Sequence, residues 1–160
     1  MIDRFRHWYE HEKAANLRMI EMIESVPFER HDDPRFVRAV CLAAHLAACR
    51  ENWLDRMDSD GENQTDWFVD HFELGGLRPR YQRIERQWTE YLERLKDEDL
   101  PKNFEFQGGD GTHYILRIET QLTQLVGHAF YHRGQVALLV DELGGETVDT
   151  DYLFWEVAKR

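Results

Sequence analysis

Residues 121–140 read QLTQLVGHAFYHRGQVALLV. Leu122, Leu125, Ala129, Val136 and Val140 recur at three- and four-residue intervals, and the pattern extends from about Ile118 to Leu143. That periodicity predicts an amphipathic helix with one side against a core, and Gly144-Gly145 gives it a natural stop. His128 and His132 stand four residues apart on the flank of the stripe. On a helix this spacing puts both imidazoles on one face, where two ring nitrogens can reach a single ion about 2.0–2.1 Å away. The spacing alone does not decide it, since a half-buried pair satisfied by water or carbonyl groups reads equally well.

A second stretch changes that balance. Residues 39–49, AVCLAAHLAAC, have no polar face, and His45 is the polar side chain in their middle. The helix that carries them opens at Asp33-Pro34, an N-cap followed by proline at the first helical position, and runs to about Met57. A buried imidazole without partners costs a few kcal/mol, roughly the desolvation of its nitrogens. A carbonyl or a neighbouring side chain usually satisfies such a residue. A bundle interior that brings His45 up to His128 and His132 offers a different answer, three neutral nitrogen donors. Three protein ligands leave coordination positions for water or substrate, as catalytic metals require.

The remaining chain supplies the bundle. Residues 3–26 place Phe5, Trp8, Ala15, Met19, Met22 and Val26 on one helical stripe ending before Pro27. Residues 58–78 form a long connection, and a third helix from Pro79 towards Pro101 carries Ile84, Trp88, Tyr91, Leu92 and Leu95. NFEFQ and THYILRI flank GGDG, which predicts a small β-hairpin. The tail, TDYLFWEVAKR, is aromatic enough to pack back. The expected fold is all-α: an up-down four-helix bundle with a β-hairpin insert before the last long helix, one domain over residues 1–160.

Other candidates read less sharply. His7 and His11 also stand four apart, but their place on the first helix reads as solvent-facing, and His31, His71 and His113 read as ordinary surface residues. Cys41 and Cys49 flank His45 at four residues on either side. Eight helical residues separate them by about 12 Å, too far for a disulfide. Either thiolate could serve as a fourth ligand, although small buried cysteines commonly just pack. Gln124 lies one turn before His128 and could line the same cavity. Glu51 and Glu119 are nearby carboxylates that no spacing selects.

Acidic residues number 31 against 20 Lys plus Arg, a formal charge of −11. Binding to nucleic acid or to an anionic membrane surface needs clustered cations, so both partners are excluded as expectations. MIDRFRHWYEHEK has no apolar signal core, and the longest apolar stretch falls well short of the ~20 residues of a membrane span. With two thiols and no disulfide framework, the expected compartment is the cytoplasm.

GHAFYHRGQVALLVDELGG followed by DTDYLFW resembles the HxxxHRGQ signature and Asp-aromatic segment of the DinB-like (DinB/YfiT) family of metal-dependent enzyme candidates. AAHLAACRENWLDRM is similar to the family's first-histidine helix, and KAANLRMIEMIESVP to its opening helix. The resemblance covers essentially the whole chain in order. It implies a four-helix bundle, often dimeric, with a divalent ion on His45, His128 and His132. The family commonly has asparagine before the first histidine of the pair and a further histidine beside the second; Gly127 and Tyr131 stand there. Arg133, Gly134 and Gln135 match the signature without a chemical role of their own.

Zinc and nickel come ahead of iron and manganese for such a site. Some relatives of this fold are thiol-dependent transferases, so the resemblance implies a small-molecule substrate, a low-molecular-weight thiol among the candidates. The expected function is a metal-dependent S-transferase or a metal-assisted hydrolase acting as a homodimer. The alternative is a non-catalytic metal-binding stress-response protein.

Overall fold

The computed structural model describes residues 1–157. The chain runs α1 (Ile2–Glu24), α2 (Pro34–Asp58), α3 (Leu77–Arg94), β1 (Asn103–Gln107), β2 (His113–Arg117), α4 (Ile118–Glu142) and α5 (Tyr152–Val157). It is mostly helical, with one small two-stranded antiparallel sheet.

Local chemistry sets the helix ends. The Asp33 carboxylate accepts from the Arg35 amide at 2.9 Å, and Pro34 opens α2 without a donor to satisfy. Gly144 adopts φ +79° just past α4. The amides of Gly145 and Gly144 then donate to Val140 and Asp141, closing the helix with a Schellman turn. A β-carbon at Gly145 would lie 2.6 Å from Val140 Cγ1 and 3.0 Å from Val26 Cγ2, so the chain can leave α4 this tightly only with glycine there. At the other end of α4, the Ile118 and Glu119 amides donate to the carbonyls of Lys102 and Leu100. The backbone leading into the hairpin thereby satisfies donors that a helix start leaves open.

α3 and α4 each pack against both α1 and α2. Their shared interior holds Met19, Ile23, Leu77, Trp88, Val136 and Val140, all fully buried. The hairpin pairs Asn103 with Arg117 and Gln107 with His113. Phe104 and Phe106 meet Trp53 of α2 edge to face, with Phe106 at 5.0 Å between ring centres.

One sequence expectation changes, and the tail gains a definite form. α3 begins at Leu77 rather than Pro79, because a short 3₁₀ turn over Leu74–Gly76 feeds directly into it. The aromatic tail is a helix, α5, over its described part, and residues 158–160 lie outside the described residues.

Candidate metal centre

His45 sits in the middle of α2 and is 4% exposed. Across from it on α4, the His128 ring centre lies 5.2 Å away and the His132 ring centre 4.9 Å away. His128 and His132 are themselves 4.4 Å apart between ring centres. The three imidazoles picked out in the sequence therefore form one cluster between two helices.

The donor atoms converge more selectively. His128 Nε2 lies 3.2 Å from His45 Nε2. Cys49 Sγ, one turn along α2, lies 3.5 Å from His45 Nε2 and 3.4 Å from His128 Nε2. His45, Cys49 and His128 make the tight group of potential ligand atoms, with His132 immediately beside it. Cys41, by contrast, is half-buried and lies outside that group.

Second contacts fix the rings. A carbonyl can only accept, so the 2.6 Å contact between His45 Nδ1 and the Trp67 carbonyl puts the proton on Nδ1. Nε2 is then the lone-pair nitrogen, and it is the one facing His128. The same logic holds at His132, whose Nδ1 donates to Gln135 Oε1 at 2.7 Å and leaves Nε2 free to coordinate. A hydrogen bond of this type sets tautomer and ring orientation at metal-ligating histidines.

Trp67 reaches His45 because the 58–73 connection folds back on α2. Fully buried Asn52 holds it, donating to the Thr65 carbonyl at 2.8 Å and accepting from the Thr65 amide at 2.7 Å. Three residues on, Phe68 stacks on His45 with ring centres 4.1 Å apart and 9° between planes, although the phenyl is 72% exposed. Tyr131 packs edge-on to His132 at 5.0 Å and is 64% exposed. Two aromatic rings thus flank the cluster where it meets solvent.

Electrostatics favour neutral imidazoles. Burial, then the neighbouring His132 and His45, push the His128 pKa down to about 4. Burial lowers His132 in the same sense, against its bond to Gln135. The Cys49 thiol is pushed up to about 12 by burial, so it is protonated unless a cation stands beside it. The buried carboxylate on this side is Glu12 of α1, and it is engaged in an ion pair with Arg50, whose Nε donates at 2.7 Å.

The readings of His11 and His31 are corrected, and the open ones at Gln124, Glu51 and Glu119 resolve. Gln124 bonds to Gln121 on an exposed part of α4 and does not line the cluster. Glu51 pairs with Arg80 and Arg83, and Glu119 faces Arg117, so neither orients a ligand. His11 is buried, not solvent-facing: it stacks on Phe130 and bonds the Thr150 carbonyl at 3.0 Å beneath the tail. His7 bonds Glu156 of α5 at 2.8 Å. His31 stacks on Phe36 at 4.0 Å and is half-buried.

The sequence of the DinB family, as a family profile, matches residues 1–159. The chain belongs to the DinB family. No curated protein matches it significantly. Two of the three signature residues that had no role find one in the structure of this DinB chain: Gln135 holds His132, and Arg133, 1% exposed, reaches Asn16 of α1 at 3.2 Å. The i, i+3 spacing of His132 and Gln135 was the signal for the first of these. The Trp67 carbonyl left none, because no side-chain pattern announces a backbone contact across 22 residues. Among the described residues no helix is long and apolar enough to cross a membrane.

A cavity of about 600 Å³ lies elsewhere, between α2, α3 and the 58–73 connection. Its Glu51 is paired as above, and its Asp55 accepts from Ser59, Asn63 and Gln64. Glu51 is thereby committed to α3 and Asp55 to the connection.

Proposed function

We propose that this DinB-family chain is a metal-dependent enzyme that holds one divalent ion on His45, His128 and His132 and transfers a small-molecule thiol to an electrophile. The supporting observation is the cluster itself: three imidazoles from two helices within 5.2 Å, with second contacts that free an Nε2 on His45 and His132. Imidazole donors suit zinc, nickel and iron, with zinc and nickel ahead of manganese. An ion bound there would lower the pKa of a coordinated thiol or water and so supply a nucleophile at neutral pH.

S-transfer is favoured over hydrolysis by what surrounds the ligands. A hydrolase of this kind gains rate from a general base at the bound water. Glu12, the buried carboxylate near the cluster, is held by Arg50. A thiolate needs no such base. Phe68 and Tyr131 offer an apolar, aromatic mouth in which an electrophile's hydrocarbon part can sit, while Trp67 and Gln135 keep the ligand rings oriented.

The packing of α3 and α4 on α1 and α2 supports reading the fold as an up-down four-helix bundle. The proposed partner is a second copy, and the exposed Leu138 of α4 supports an apolar pairing face. Two free thiols fit a reducing cytoplasm. The second reading, a metal-binding stress-response protein without turnover, shares the site and lacks the substrate.

Activity separates them. Metal-loaded protein, supplied with a panel of low-molecular-weight thiols and aromatic electrophiles, is expected to turn over in proportion to metal content. Turnover that ignores metal loading contradicts the proposed site, and ester or amide cleavage in place of thiol transfer moves the reaction to hydrolysis.

A further inference from the structure

We infer that Cys49 is a metal ligand of this site, binding as a thiolate beside His45 and His128. The inference rests on the metal-binding reading above and adds to it a sulfur donor.

The spacing of the donor atoms carries the argument. An ion with metal–nitrogen bonds of about 2.05 Å and a metal–sulfur bond of about 2.3 Å, at tetrahedral angles, needs N···N of about 3.4 Å and N···S of about 3.6 Å. The observed separations are 3.2 Å for His45 Nε2 to His128 Nε2, and 3.5 and 3.4 Å from Cys49 Sγ to those two nitrogens. All three edges agree within about 0.2 Å of the face of a tetrahedron. A cysteine that merely fills space has no reason to meet the Nε2 atoms of both histidines at once.

Helix geometry explains how the residue arrives there. Cys49 lies four residues after His45, so the two side chains stack on one face of α2 and point together at α4. Cys41, four residues before His45, misses the cluster. Side chains of a helix lean towards its N-terminus, so the residue one turn later covers the spot over His45.

The chemistry balances without a redox partner. The thiol S–H bond breaks, its proton leaves to solvent, and a sulfur–metal bond forms. With His132 the donors become one thiolate and three imidazoles. Four protein donors close a tetrahedral site, so a substrate thiol enters only by displacing one donor or by expansion to five-coordination, and ligation by Cys49 is read apart from turnover. A sulfur donor also shifts preference towards thiophilic ions and away from manganese.

The test is anaerobic titration of metal-free protein with cobalt(II), read by absorption. Wild type and Cys41→Ser are expected to bind one cobalt per chain with a near-ultraviolet thiolate-to-cobalt band. Cys49→Ser is expected to lose that band while keeping visible cobalt bands, with affinity at least tenfold weaker. Cobalt bound by wild type without the charge-transfer band overturns the inference and leaves the histidine site standing. A band that survives in Cys49→Ser overturns it too. No cobalt or zinc binding by wild type overturns both readings. Zinc-edge X-ray absorption on wild type keeps the test independent of variant folding: one sulfur at about 2.3 Å supports Cys49, and nitrogen and oxygen alone contradict it.

Discussion

Gln135 shows how a single side chain makes a neighbour into a ligand. Its carbonyl oxygen accepts from His132 Nδ1 at 2.7 Å, which fixes the tautomer and aims Nε2. Losing contacts of this kind weakens metal binding by roughly 10- to 100-fold. Gln135→Ala is therefore expected to lower zinc affinity by about that factor in competition with a chromophoric chelator, with the thermal midpoint of metal-free protein nearly unchanged. Gln135→Glu keeps an acceptor in place and is expected to restore most of the loss. Equal losses in both variants would mean that Gln135 acts through packing. The histidines were legible at this scale because four-residue spacing and an apolar surround are patterns in one helix each. Cys49 was visible only as one of two symmetric candidates, and the choice between Cys41 and Cys49 depends on where α4 lies.

Among the elements, α2 does the most to build the site. One face gives His45 and Cys49 to the cluster, while Arg50 turns to Glu12 of α1 and Asn52 to the 58–73 connection. The Asn52 amide imitates a backbone partner for Thr65 and so delivers the Trp67 carbonyl to His45. Asn52→Ala strands a buried donor and acceptor, a change expected to cost about 1–3 kcal/mol in denaturant unfolding. Metal affinity should fall with it, since His45 loses its fixed tautomer. Unchanged metal affinity in a destabilised Asn52→Ala would show that the connection does not orient His45. The helices of the core were readable from apolar periodicity, the start of α2 from Asp33-Pro34, and the hairpin from alternation around GGDG. The 58–73 connection was not, because its course depends on one buried amide of α2. The tail was readable only as a segment that packs back, and its burial of His11 reversed the expectation for that residue.

For the molecule as a whole, the −11 charge belongs to the surface while the cluster is kept neutral inside. Burial holds His11, His128 and His132 below the ordinary histidine value, His128 at about 4. The folded chain thus binds fewer protons than the unfolded chain between about pH 6.5 and pH 4. Stability carried by these groups is present above about pH 6.5 and is lost as the pH falls through that window. Metal-free wild type is expected to lose more thermal stability between about pH 7 and pH 5 than His128→Gln does, which isolates one histidine from the carboxylates titrating below. An equal or larger loss in His128→Gln would contradict a depressed His128. The family assignment rests on a match over residues 1–159, which agrees with the order of helices and histidines along the chain.

The most direct test of the central claim is the metal content of untagged protein purified in metal-replete medium, measured by elemental mass spectrometry. Wild type is expected to carry about one divalent ion per chain, and His45→Ala and His128→Ala, each checked as folded by circular dichroism, to lose most of it. Wild type free of stoichiometric metal, or folded variants that keep a full complement, would contradict it.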